Sequence, residues 1–152
     1  MDLITFSKIL FSLFQFAFYD RHYIAEVHWS GANSSSVMVL MRDPDNLISA
    51  SRPSTFYVSR DYGNTYTNVT GNFSLENGGL ATISSFFSSK ADNRKYILVA
   101  KFHRVIFFSL NECQTFYRVS TYFYPSAVKY HPRHSYYVAI HEEEMGSKRV
   151  IC

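Results

Sequence analysis

The sequence predicts an all-β protein made of repeated four-stranded antiparallel units. Three features carry that expectation: the aromatic content, a series of short strand-like runs, and a turn motif that recurs. Twelve Tyr, fourteen Phe and one Trp make 18% of the 152 residues aromatic. Aromatic and β-branched side chains suit half-buried pleated surfaces. Beyond Asp20 the runs 37–41, 55–59, 95–100, 104–109 and 135–140 are each five or six residues long and bounded by Gly, Pro, Asn, Asp or Ser. No stretch beyond Asp20 keeps a 3.6-residue apolar period over three turns.

The recurring turn is the informative element. Ser59-Arg60-Asp61-Tyr62-Gly63-Asn64-Thr65-Tyr66 follows one strand-like run, and Ser109-Leu110-Asn111-Glu112-Cys113-Gln114-Thr115-Phe116 follows another. Both fit Ser-x-(Asp/Asn)-x-(Gly/Cys)-x-Thr-aromatic. A third lead-in, 148–151, aligns with 103–106, so a third turn is due two residues past Cys152. Strands are expected at 25–30, 37–41, 55–59 and 65–69, then at 81–87, 95–100, 104–109 and 115–119. A third set, 127–131, 135–140 and 148–151, lacks its fourth member. Four strands recurring every ~45–50 residues are the mark of β-propeller blades.

The spacing inside the turn has a physical reason. A tight hairpin needs a residue at positive φ, which Gly63 supplies without steric cost. The Asp61 carboxylate can accept from N–H groups that the turn leaves unpaired, with Ser59 and Thr65 bracing it and Tyr66 anchoring the hairpin in the core. The second turn places Ser109, Asn111, Cys113, Thr115 and Phe116 in the same roles. A carboxylate satisfied by its own turn is poorly available for catalysis, so the motif reads as structural.

Composition narrows the function classes. Fifteen Lys and Arg face twelve Asp and Glu, a net +3, with no basic stripe that would suit nucleic acid. Two cysteines, Cys113 and Cys152, do not make a disulfide scaffold. Cys113 is expected to be a structural thiol or half of a disulfide. The sequons at Asn33, Asn68 and Asn72 point to the secretory lumen. Residues 1–19 hold an apolar stretch, 9–19, too short to span a bilayer as a helix and similar to a signal or anchor segment. His131-Pro132-Arg133-His134, with His141 and Glu142 to Glu144 nearby, lacks metal-site spacing and reads as a solvated turn. Tyr117-Arg118-Val119-Ser120 follows a turn motif and lacks the proline of a sialidase signature, so an enzyme is not expected.

The turn motif is the Asp-box of sialidase-type and VPS10-type propellers. Val27-His28-Trp29-Ser30-Gly31, residues 37–43 and 57–63, Ser89 to Ile97, and the second box with Cys in place of Gly together resemble the start of a VPS10 domain of the sortilin receptor family. The similarity runs from about Asp20 to Cys152. The resemblance implies an incomplete piece of a ten-bladed propeller, two blades and most of a third, over residues 20–152. It implies no enzyme activity and no cofactor. It further implies peptide or protein ligands in the propeller tunnel, lined by the first strand of each blade. The full-length receptor would be membrane-anchored and move between Golgi, endosomes and cell surface. A truncated product with no activity of its own is the alternative. The histidines, His28 and His103 first among them, are candidates for coupling ligand release to acidification.

Overall fold

The computed structural model describes residues 24–31, 33–44, 50, 52–142 and 150–151. Residues 1–19 and Cys152 lie outside them. The first sheet is a meander of β1 (Ile24–Trp29), β2 (Val37–Arg42), β3 (Thr55–Ser59) and β4 (Thr67–Asn68), each antiparallel to the next. The second repeats it with β5 (Ser85–Ser88), β6 (Tyr96–Ala100), β7 (Val105–Ser109) and β8 (Tyr117–Ser120). In the third, β9 (Pro125–Tyr130) pairs with β10 (Val138–Glu142), which pairs with β11 (Val150–Ile151). The fold is all-β, in propeller blades.

Why these runs become central strands follows from what covers them. A strand buried on both faces reads as a continuous apolar run rather than an alternating one. In β2, Met38 and Leu40 enter the core between the first and second sheets, while Val37, Val39 and Met41 are buried on the opposite face. In β6, Tyr96, Leu98 and Ala100 face the first sheet, and Ile97 and Val99 join Val128 of β9 on the other side. The second sheet is thus the middle layer of a stack. The outermost strands β4 and β8 are exposed along their length.

The core between the first two sheets is aromatic. Phe73 is fully buried and meets Phe56, Phe107 and Phe116 edge-on at 5.7, 5.2 and 4.9 Å. Such edge-to-face pairs add to the area term by ~0.5–1.5 kcal/mol each. Phe73 reaches this position from a 3-10 turn, Thr70–Phe73, that leads out of β4.

Several strand boundaries differ from the sequence expectation, and three of the shifts have a clear local reason. The first strand of the second sheet begins at Ser85 rather than 81, and Ser84 makes the first bond to β6, its N–H donating to the Val99 carbonyl at 2.8 Å. The Ala81 N–H donates to the Phe73 carbonyl and the Ile83 N–H to Ser54 Oγ, which ties this segment to the first sheet. The fourth strand of the first sheet, Thr67–Asn68, begins at 67 rather than 65 because the Asp61 carboxylate takes the Thr65 N–H and hydroxyl. The tenth strand begins at Val138 rather than 135, since Ser135 and Tyr136 turn onto Lys95 of the second sheet.

Phe73→Ala should cost about 3–5 kcal/mol of unfolding free energy, the range for emptying a buried phenylalanine site. Tyr122→Ala, at a fully exposed side chain, should stay within about 0.5 kcal/mol. Denaturant unfolding of the full-length protein measures both. A Phe73→Ala cost no larger than that of Tyr122→Ala would show that the core is not centred there.

Candidate functional site

The turn after β3 is organised by one serine and one carboxylate. Ser59 Oγ donates to Asp61 Oδ1 at 2.8 Å and accepts the Gly63 N–H at 2.8 Å. Asp61 accepts the Thr65 N–H at 2.9 Å and the Thr65 hydroxyl at 2.6 Å. These Thr65 bonds, then the Ser59 bond, draw the Asp61 carboxyl from its ordinary 3.8 down to about 2. The turn needs two consecutive left-handed residues rather than the one the sequence suggested: Tyr62 at φ 59° and Gly63 at φ 85°.

The second turn has the same geometry with different chemistry. Ser109 Oγ donates to Asn111 Oδ1 at 3.0 Å and accepts the Cys113 N–H at 3.0 Å. Asn111 Oδ1 accepts the Thr115 N–H at 3.0 Å, and its Nδ2 donates to Thr115 Oγ1 at 2.9 Å. Glu112 and Cys113 take the left-handed positions at φ 54° and 60°, at a steric cost that glycine would avoid. Cys113 is a free thiol, fully buried, and burial pushes it up to about 12, away from the reactive thiolate. Phe116 packs into the core between the sheets, while Tyr66 packs beside Val37, Val39 and Met41 on the opposite face of the first sheet.

These turns share one end of each sheet with the loop between its first two strands. The three loops, 30–36, 89–95 and 131–137, close alike. The N–H of the first residue donates to the carbonyl of the last, Ser30 to Ser36 at 3.1 Å, Ser89 to Lys95 at 3.0 Å and His131 to Tyr137 at 2.9 Å. In the second loop Ser89 Oγ accepts the N–H groups of Ala91 and Asp92, both at 3.3 Å. In the third, His131 Nδ1 accepts those of Arg133 and His134 at 3.2 and 3.1 Å.

Side chains at this end also bridge the sheets. Ser36 and Ser34 donate to Glu112 Oε2 at 2.7 and 3.2 Å, and Arg60 donates to the Glu112 carbonyl at 3.2 Å. The buried Lys95 donates to Ser135 Oγ at 2.8 Å, lies 3.2 Å from the centre of the Tyr136 ring, and pairs with Asp92 at 3.7 Å. The sequence reading missed Glu112 and Lys95. The available signal was a glutamate where a left-handed turn favours Gly, Asn or Asp.

Among the described residues, β1, β5 and β9 are the first strands of their sheets, each with a sheet partner on one edge. His28 on β1 meets Phe86 and Tyr96 of the second sheet edge-on at 5.7 and 5.6 Å, and burial lowers its pKa. His103 lies in the 3-10 turn between β6 and β7, also lowered by burial. His141 and Glu142 lie on β10, and His131 and His134 in the loop before it. Among the described residues no three His, Cys, Asp or Glu gather closely enough to hold a metal ion. No described helix is long and apolar enough to cross a membrane.

Asn33, Asn68 and Asn72 are all exposed. Asn68 Oδ1 accepts the Thr70 N–H at 3.0 Å, while the buried Thr70 hydroxyl accepts the Phe56 N–H of β3 at 2.9 Å. Asn72 Nδ2 donates to the Val69 carbonyl at 3.0 Å.

The depressed Asp61 pKa fixes a sign. A carboxyl lower in the folded than in the unfolded chain adds stability above about pH 4 that fades as pH falls toward 2. Asp61→Asn should keep the turn, as Asn111 does, and flatten stability across that window. Asp61→Ala should lower stability at neutral pH as well. Thermal melts from pH 2 to 7 check both, and an Asp61→Asn protein retaining the full acid dependence would assign it elsewhere.

Comparison with known proteins adds lineage to this geometry. A family model described as Sortilin-Vps10, "Sortilin, neurotensin receptor 3", matches residues 54–152. The mouse sortilin-related receptor is 32% identical over 120 residues, covering 76% of this chain and 5% of the receptor. Its human counterpart is 34% identical over 100 residues, covering 63% and 4%. The human VPS10 domain-containing receptor SorCS2 is 29% identical over 116 residues, covering 74% and 10%. The chain therefore spans a tenth or less of the length of these relatives. With two stacked four-stranded blades, each turned by the same serine-centred box, and a family match across residues 54–152, the chain belongs to the VPS10 (sortilin) receptor family.

Proposed function

We propose that residues 20–152 are part of the ligand-binding ectodomain of a VPS10-type sorting receptor, taking peptide or protein ligands along the inner strands of its propeller. The observation that carries this reading is the placement of β1, β5 and β9 at one edge of their sheets, where, among the described residues, each has a sheet neighbour on one side alone. An extended peptide can add to such an edge through main-chain hydrogen bonds. The exposed Val27 on β1 offers apolar surface beside that edge. The box residues Ser59, Asp61, Gly63, Thr65 and Tyr66, with Ser109, Asn111, Cys113, Thr115 and Phe116, serve to shape blades and not to do chemistry. In this reading residues 1–19 are a leader, the module faces the secretory lumen, the full-length receptor is membrane-anchored between Golgi, endosomes and plasma membrane, and no nucleic acid is bound.

Two measurements test it. A photo-crosslinking residue at Val27 in the full-length protein should capture a bound peptide ligand, whereas one at Tyr122, remote on the β8–β9 connection, should not. Equal capture at both positions would remove the inner strands from the binding surface. Expression in a secretory host should give a glycosidase-sensitive gel shift reduced by Asn33→Gln and by Asn68→Gln. Cytosolic recovery without any shift would rule out the luminal placement.

A further inference from the structure

Ser89 and His131 hold the same position in two loops of the same length and closure, and each caps two backbone N–H groups two and three residues ahead. Their acceptors differ in kind. A serine hydroxyl keeps its lone pairs at any physiological pH. An imidazole accepts through Nδ1 only while that nitrogen is unprotonated, and His changes charge between about pH 5 and 8. We propose that His131 makes the 131–137 loop an acid-opened latch over the seam between the second and third sheets.

The consequence of protonation follows from the bonds. A proton on Nδ1 turns an acceptor into a donor that faces two other donors, the Arg133 and His134 N–H groups. Both caps are lost together. Ser135 and Tyr136 come next in the chain, and they are the residues that seat on Lys95. Beneath them lies a cleft lined by Ile97, Phe108, Leu110, Tyr130 and Val138. Opening the loop withdraws a hydroxyl and an aromatic face from a buried ammonium and widens an apolar cleft that is already partly open to water.

The surroundings of His131 offer no competing switch of opposite sign. On its own loop stand the His134 ring at 4.9 Å, the Tyr137 ring at 6.3 Å and the exposed Arg133. Lys129 and Tyr130 of β9 and Lys90 of the 89–95 loop line the groove beside it, and no carboxylate lines that groove. The 89–95 loop, capped by Ser89, is the internal control. The latch is independent of which ligand the propeller takes.

Hydrogen–deuterium exchange on the full-length protein tests the latch directly. After correction for intrinsic rates, a peptide spanning 131–137 should lose protection about tenfold between pH 7.5 and 5.0, the scale set by losing hydrogen-bonded caps. The peptide spanning 89–95 should change little. His131→Ser, which installs the residue of the second loop, should make protection over 131–137 independent of pH, while His134→Ser should keep the wild-type response. If His131→Ser fails to fold, His131→Asn supplies an equally pH-insensitive acceptor and is read in its place. A pH response that survives replacement of His131, or its absence from the wild-type protein, overturns the proposal.

Discussion

Burial of the central strands on both faces is the constraint from which the rest of this structure follows. A four-stranded meander whose second strand is apolar on both sides cannot satisfy itself with one neighbour. Met38 and Leu40 need the second sheet, and Ile97 and Val99 of that sheet need the third. Shape-matched rings at the first seam, with Phe73 among Phe56, Phe107 and Phe116, set the spacing between layers. Because the sheet interiors are apolar, unmet backbone hydrogen bonding is pushed to the strand ends. The small hydroxyl residues concentrate there, with Ser30, Ser34, Ser36, Ser59, Ser89 and Ser109 all buried.

Seen this way, the two box turns show what the motif demands. Asp61 and Asn111 differ in charge, and Gly63 and Cys113 differ in backbone freedom, yet both turns hold the same serine-centred bonds. The requirement is an oxygen acceptor aimed at the threonine N–H four residues ahead, together with a donor or acceptor able to meet the threonine hydroxyl. Charge is incidental to the shape. It adds acid sensitivity to the first turn and none to the second.

The strands and turns were legible because their causes are local. Continuous apolar runs such as 37–41 and the Ser-x-Asp-x-Gly spacing act within a few residues. What stayed hidden depends on partners far along the chain. Residues 81–84 have strand-like composition, but the Ala81 and Ile83 N–H groups are claimed by Phe73 and Ser54, which flank the strands of the preceding sheet. Glu112 meets Ser34 and Ser36 across 78 and 76 positions, and Lys95 meets Ser135 across 40. The likeness of the loops 30–36, 89–95 and 131–137 is carried by backbone closure, so residues as unlike as Ser89 and His131 share one job without a shared letter. The family resemblance, by contrast, was readable because it rests on the locally determined segments.

The double engagement of Thr70 bears on how glycan-deficient variants are interpreted. In the tripeptide Asn68-Val69-Thr70 the threonine is an acceptor-site requirement for the glycosylating enzyme, and in the folded molecule the same oxygen receives the Phe56 N–H. Selection on folding alone would retain a hydroxyl there whether or not a sugar is attached, so the tripeptide carries less information about glycosylation than its form implies. A variant that deletes the site by changing the threonine removes a strand cap along with any glycan. Loss of secretion in such a variant would then report misfolding, and a change at Asn68, which gives up a cap on the exposed end of β4 but leaves the buried Phe56 bond in place, separates the two effects better.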